Sequence, residues 1–213
     1  MFTFTRKEIR DLIIAFIVLS ICFAISNVGL NLNGIIALLP IVMVGVGLGF
    51  IFHELGHKFM SMQYGYEAEF ELWPLGLLIA LVTAFLGFVF AAPGSVKTYA
   101  EDMSDEIIGK ITIAGPTTNI GLAILFIIIA ALIYPFSTNG GISHLIYLIC
   151  TVGFSVNSFL AAFNLLPFYS LDGTKVMKWS VGVWIVAFGV AAIMLLISIT
   201  IGAENMVGII IGL

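Results

Sequence analysis

An all-α polytopic membrane protein of five to six transmembrane helices, with a small membrane-associated β element or re-entrant segment, is the fold class this sequence predicts. Three observations lead there. Of 213 residues, 61% are hydrophobic and 9% charged, against roughly 45–50% and about 25% in an ordinary soluble domain. The mean hydropathy is +1.19. Apolar runs of about 20 residues, the length that bilayer hydrocarbon requires, recur along the chain. A water-soluble globule is excluded, and the lipid bilayer is the first partner implied. The eight basic residues are thinly spread under a net charge of -4, so no nucleic-acid footprint exists. No hydrophilic stretch is long enough for an appended soluble domain, and residues 1–213 read as one integral membrane domain.

The first apolar run, Leu12–Leu30, follows Arg6, Lys7 and Arg10. It resembles a signal peptide in those flanks, but it exceeds the h-region length of about 7–15 residues and reads as a retained span. Ile35–Tyr64 is the second span. Glu67–Leu72 then alternates acidic and apolar residues with period two, a half-buried strand pattern, and Ser95–Tyr99 is a weaker strand after the Pro93-Gly94 turn. Between them Leu75–Phe90, flanked by prolines, is short for a crossing. Ile111–Tyr134, Leu145–Phe168 and Val181–Ile201 supply three further spans. Cys22 and Cys150 both lie inside apolar runs, where a thiol behaves as a small buried hydrophobe.

Charge placement orients the chain. If Leu75–Phe90 does not cross, all eight Lys and Arg residues fall on the side of the N-terminus, which is then cytoplasmic. This favours a re-entrant or interfacial segment over residues 75–90. It also points to a cell-membrane protein whose polar residues cluster near the cytoplasmic side.

The chemistry begins with His53-Glu54-Leu55-Gly56-His57, an H-E-x-x-H inside a helical apolar segment. On a helix the two imidazoles project from one face one turn apart, so they can share a zinc ion. Glu54 stands beside them at about 100°, able to take a proton from an attacking water. From the composition, chance yields only about 0.002 such matches, so the pattern carries meaning. Ionisable groups at membrane depth cost several kcal/mol unless partnered, which argues the same way. A catalytic zinc needs at least one more protein ligand. The third histidine, His144, sits in a loop on the far side. Of the four aspartates, Asp172 alone follows an apolar helix, in Asn164-Leu165-Leu166-Pro167-Phe168-Tyr169-Ser170-Leu171-Asp172-Gly173, where Pro167 must break the helix next to it.

Together these strings resemble the site-2 protease family of intramembrane zinc metalloproteases. In that family an H-E-x-x-H helix and a later N-x-x-P-x-x-x-x-D-G segment form the active site. The resemblance covers about residues 35–180. It implies His53, His57 and Asp172 as ligands of one Zn2+, Glu54 as the catalytic base, and Asn164 as a polar group near the reacting carbonyl. A weaker match, Gly115-Pro116-Thr117-Thr118-Asn119, resembles the Gly-rich segment of the next core helix. It makes Asn119 either a substrate-binding residue or a hydrogen-bonding link between helices. Leu75–Phe90 is longer and more apolar than the connection that family uses. Parity supports the charge argument, since Asp172 and His57 share a metal only if an even number of crossings separates them, and Ile111–Tyr134 with Leu145–Phe168 already makes two.

The expected function is therefore zinc-dependent hydrolysis of peptide bonds in a membrane-spanning protein or peptide. A helical substrate must be unwound before attack, and an extended peptide pairs readily with a strand edge. On that ground Glu69 and Phe70, in the Glu67–Leu72 strand, are expected to bind substrate. The rival readings are a polytopic transporter, an inactive membrane adaptor with the same fold, and a metallopeptidase for soluble substrates.

Overall fold

The computed structural model describes residues 3–100, 102–137, 140–169 and 171–212. Among these residues, eight helices and two strands follow one another as α1 (Arg6–Val28), α2 (Leu32–Gln63), β1 (Glu67–Leu72), α3 (Pro74–Ala84), β2 (Gly94–Tyr99), α4 (Asp105–Ser137), α5 (Gly141–Asn164), α6 (Asp172–Trp179), α7 (Val181–Thr200) and α8 (Ala203–Ile211). Five of these helices, α1, α2, α4, α5 and α7, are long and apolar enough to cross a membrane. They coincide with the five runs read from the sequence. Their outward faces carry exposed apolar residues such as Leu132, Ile142, Val186 and Ile199, which suits a lipid surround.

Helix ends depart from the apolar boundaries for local reasons. α1 begins six residues before its apolar run because the Thr5 side chain accepts the Glu8 N–H and caps it. α2 is 32 residues long, about 48 Å at 1.5 Å per residue, so it exceeds the hydrocarbon thickness and presents His53 to His57 in its last third. α5 stops at Asn164 rather than Phe168, since Pro167 cannot extend the hydrogen-bond ladder. The 8-residue α6 and 9-residue α8 are too short to register as apolar periodicity.

α2, α4 and α5 form the centre of the bundle, with α1 against α2 and α7 against α5. Gly45 on α2 meets Gly153 on α5, the close backbone approach that small residues permit in membranes. One apolar cluster joins α1, α2, β1 and α3 around Leu19, Val46, Phe50 and Phe70. A second joins α4, α5, α7 and α8 around Phe126, Phe154, Met194 and Val207.

The strands pair antiparallel, Glu67 opposite Tyr99 through Leu72 opposite Gly94. Between them α3 runs 11 residues, about 16 Å. The chain then turns at Gly87, tied by the Phe88 and Phe90 N–H groups to Thr83, and returns beside its own start, where the Trp73 N–H donates to Pro93 O at 2.7 Å. Both ends of the 75–90 segment thus sit at one end of the strand pair.

Candidate active site

Helical spacing, a broken helix and a close-packed neighbour assemble the site. His53 and His57, one turn apart on α2, stack edge to face with ring centroids 4.6 Å apart. Their Nε2 atoms are 3.0 Å apart. Asp172 opens α6, and its Oδ2 is 3.2 Å from each Nε2. The segment that delivers it is pinned at its start: Leu165 O, left over where α5 ends before Pro167, accepts the Trp184 indole N–H from α7 at 2.8 Å. It is pinned again at Gly173, where a Cβ would run into the carbonyls of Leu165 and Leu166. Ser170 falls outside the described residues.

Hydrogen bonds behind the imidazoles decide which way their lone pairs point. Asn119, on α4, donates through Nδ2 to Gly49 O at 2.9 Å and to Asn157 Oδ1 at 3.0 Å, which turns its Oδ1 to His53 Nδ1 at 2.6 Å. His57 Nδ1 faces Ile111 O at 3.1 Å. Both partners only accept, so both Nδ1 atoms carry the proton and both neutral rings aim an Nε2 lone pair inward. Two imidazole lone pairs and a carboxylate oxygen therefore converge at 3.0–3.2 Å.

Such a convergence is repulsive without a cation at its centre. Asp172 Oδ2, buried, has no hydrogen-bond partner among the described residues. Tetrahedral zinc with bonds of about 2.0–2.1 Å sets its ligand atoms about 3.3 Å apart, close to the observed triangle. Space is also reserved there: a Cβ on Gly115 of α4 would strike the Nε2 atoms of both histidines. The donor set of two imidazoles and one carboxylate fits a single zinc, with a fourth position left for water. His53, His57 and Asp172 are the one group of metal-ligating side chains found among the described residues.

A protein of Methanocaldococcus jannaschii named "Putative zinc metalloprotease MJ0611" is 38% identical to this chain over 184 residues, covering 86% of this chain and 90% of that protein. This chain belongs to that zinc metalloprotease family. A Bacillus subtilis protein named "Putative zinc metalloprotease YwhC" is 23% identical over 156 residues, 67% of this chain and 70% of its own. No protein-family model and no solved structure matches.

In this metalloprotease the ligands open onto a cavity of about 620 Å³ lined also by Glu54, Asn164, Lys175 and the whole of β2. Glu54 is 6% exposed, and its Oε2 accepts the Val96 N–H from β2 at 3.2 Å. Asn164 Nδ2 donates one hydrogen to Leu160 O at 2.9 Å, and the side chain reaches the cavity wall. Five of the residues read from sequence, His53, Glu54, His57, Asn164 and Asp172, thus meet in one place. His144 lies near the opposite end of α5, about 30 Å from Asn164 along the helix, stacked on Tyr147.

Three expected substrate contacts lie elsewhere. Asn119 is fully buried behind His53 and does not line the cavity; its bonds to Gly49 and Asn157 make it the link between helices that was the other reading. Phe70 points into the core against Phe50, and its N–H is taken by Glu8 Oε1 at 3.1 Å. Glu69 is bonded to Thr5. The outer edge of β1 therefore lies against the first turn of α1, away from the cavity. β2 is the strand whose other edge faces the cavity. Its alternation is too weak in sequence to single out Val96, just as the Gly-rich match could not reveal that Gly115 clears space for two imidazoles.

Proposed function

We propose that this zinc metalloprotease is an intramembrane protease of the site-2 type, hydrolysing peptide bonds of membrane-spanning substrates near the cytoplasmic side. The observation that carries it is the placement of Glu54 and the three convergent ligand atoms in one cavity among membrane-spanning helices, with a strand edge along its wall. Zinc, held by His53, His57 and Asp172, supplies Lewis acidity toward a water and a peptide carbonyl. Glu54 takes the proton of the attacking water and later gives it to the leaving amine as the C–N bond breaks. The Val96 N–H fixes the orientation of that carboxylate. Asn164 has a second Nδ2 hydrogen free of its helix, and it donates to the oxyanion as charge develops.

Substrate binding follows from β2. Phe70 and Val96 face each other across the sheet, and both N–H groups point out of the ladder, to Glu8 and Glu54. Gly94 and Thr98, two residues either side of Val96, share that outward direction. An unwound substrate pairs with this edge main chain to main chain, which demands little of its side chains. The apolar 75–90 segment acts as a re-entrant support that holds the strand pair at membrane depth.

The test combines metal analysis with cleavage in detergent and in proteoliposomes, using a transmembrane peptide and a water-soluble peptide. Wild-type protein is expected to bind one zinc and to prefer the transmembrane peptide. Glu54→Gln should keep zinc and lose activity by about 10²–10⁴-fold. Wild-type turnover in Glu54→Gln would overturn the mechanism, and preference for the soluble peptide would overturn the substrate class.

A further inference from the structure

A two-stranded sheet is marginal by itself, so where β2 points depends on what β1 is fastened to. That fastening is the first turn of α1. Glu8 is 1% exposed and Lys58 is 2% exposed, and they form a buried ion pair between α1 and α2. The same Glu8 carboxylate accepts the Phe70 N–H through Oε1, while Thr5 bonds Glu69 and Lys7 pairs with Glu71 at 3.2 Å. Lys58 directly follows the ligand His57, so one carboxylate ties the ligand-bearing helix to the strand pair.

We propose that Glu8 is a positioning residue, whose buried contacts to Lys58 and to the Phe70 N–H occupy the β1 edge and aim the β2 edge at Glu54. This rests on the reading that substrate pairs with β2. Either edge of an isolated strand pair offers main-chain donors and acceptors, and a carboxylate on the Phe70 N–H closes one of them. Burying an ion pair is costly and adds little net stability over apolar packing, so we assign this one to holding an arrangement. Here the arrangement fixed is the distance from Val96 to Glu54. No proton or electron moves through Glu8 in this role.

The experiment uses the full-length zinc-bound protein with two variants. Glu8→Gln weakens both contacts, while Glu8→Ala combined with Lys58→Met removes them without stranding a buried charge. Amide exchange at Phe70 and Val96 is measured beside zinc content, kcat and KM. Two peptides are compared, one long enough to run along β2 and one spanning only the scissile bond. Exchange at both amides should rise about tenfold, and KM for the long peptide should rise by a similar factor. The zinc content and the KM for the short peptide should stay at wild-type values, while kcat should fall for both peptides alike as Glu54 loses its hold on Val96. Unchanged exchange at Phe70, an equal KM change for both peptides, or loss of zinc in the double variant would each overturn the positioning role. The exchange data decide the clasp even if no peptide is cleaved. Absence of zinc-dependent hydrolysis by the wild-type protein would instead defeat the proposed function.

Discussion

Asn119 shows how much of a metal centre lies behind its ligands. Its carboxamide fixes the His53 tautomer through a 2.6 Å contact while its amide group bridges α2 and α5. Replacing such a group behind a ligand commonly costs about 10–100-fold in metal affinity. Asn119→Ala should therefore lower zinc affinity by that factor, read by competition with a chelator, with the helix content unchanged. Wild-type affinity would mean that Ile111 and packing suffice to orient the pair. Gly115→Ala makes a sharper case, because the added methyl must displace an imidazole. Zinc occupancy should fall in that variant, while Ala substitution at Gly121, where nothing lies within reach, should leave it intact. The ligands were legible in the sequence because a shared ion demands helical spacing and a broken helix beside the third donor. Asn119 was legible as a hydrogen-bonding link between helices, but its contact with His53 and the space left by Gly115 were not, since they arise only when α4 is laid against α2.

Elements divide along the same line. The five spans were legible because a bilayer fixes their length, and the strands because period-two alternation cannot serve a helix. Which edge of the strand pair is open was not, as it depends on α1 covering β1 from more than 60 residues away in sequence. Glu71 shows that coverage at the surface: hydrogen bonds from Lys97 and then Lys7 hold its carboxyl below the usual range. Edge pairing by β2 gives a test that separates backbone from side chain. Thr98→Pro removes an outward N–H and no ladder hydrogen bond to β1, whereas Thr98→Ser keeps both the N–H and the hydroxyl that meets Ser61 at 2.8 Å. The proline variant should raise KM for a long peptide about tenfold, and the serine variant should not. Equal KM values with equal zinc content would discard pairing on this edge.

At the scale of the whole molecule, the meeting of His57 with Asp172 constrains topology. α4 and α5, both long and apolar enough to cross, lie between them, and the 75–90 segment leaves and returns at one end of the strand pair, an arrangement that fits an even count of crossings. The basic residues follow the same end: Lys58 pairs with Glu8, Lys97 with Glu71, and Lys178 with Asp105 at 2.9 Å. At the opposite end the close of α4, the start of α5 and the start of α8 share a polar hollow lined by Tyr134, His144, Glu204 and Asn205, with no Lys or Arg. This asymmetry is what the positive-inside rule reads, and it is the ground on which the proposed function sets the zinc centre toward the cytoplasm. Both cysteines are buried, so they can be replaced by alanine to give a background for labelling. Single cysteines at Lys97 and Lys175 should react with an impermeant maleimide only from the cytoplasmic side, and one at Asn205 only from outside. A reversal at all three positions would invert the orientation while keeping the fold. Labelling of Lys97 and Lys175 from opposite sides would make residues 75–90 a crossing, and His57 and Asp172 could then not share an ion.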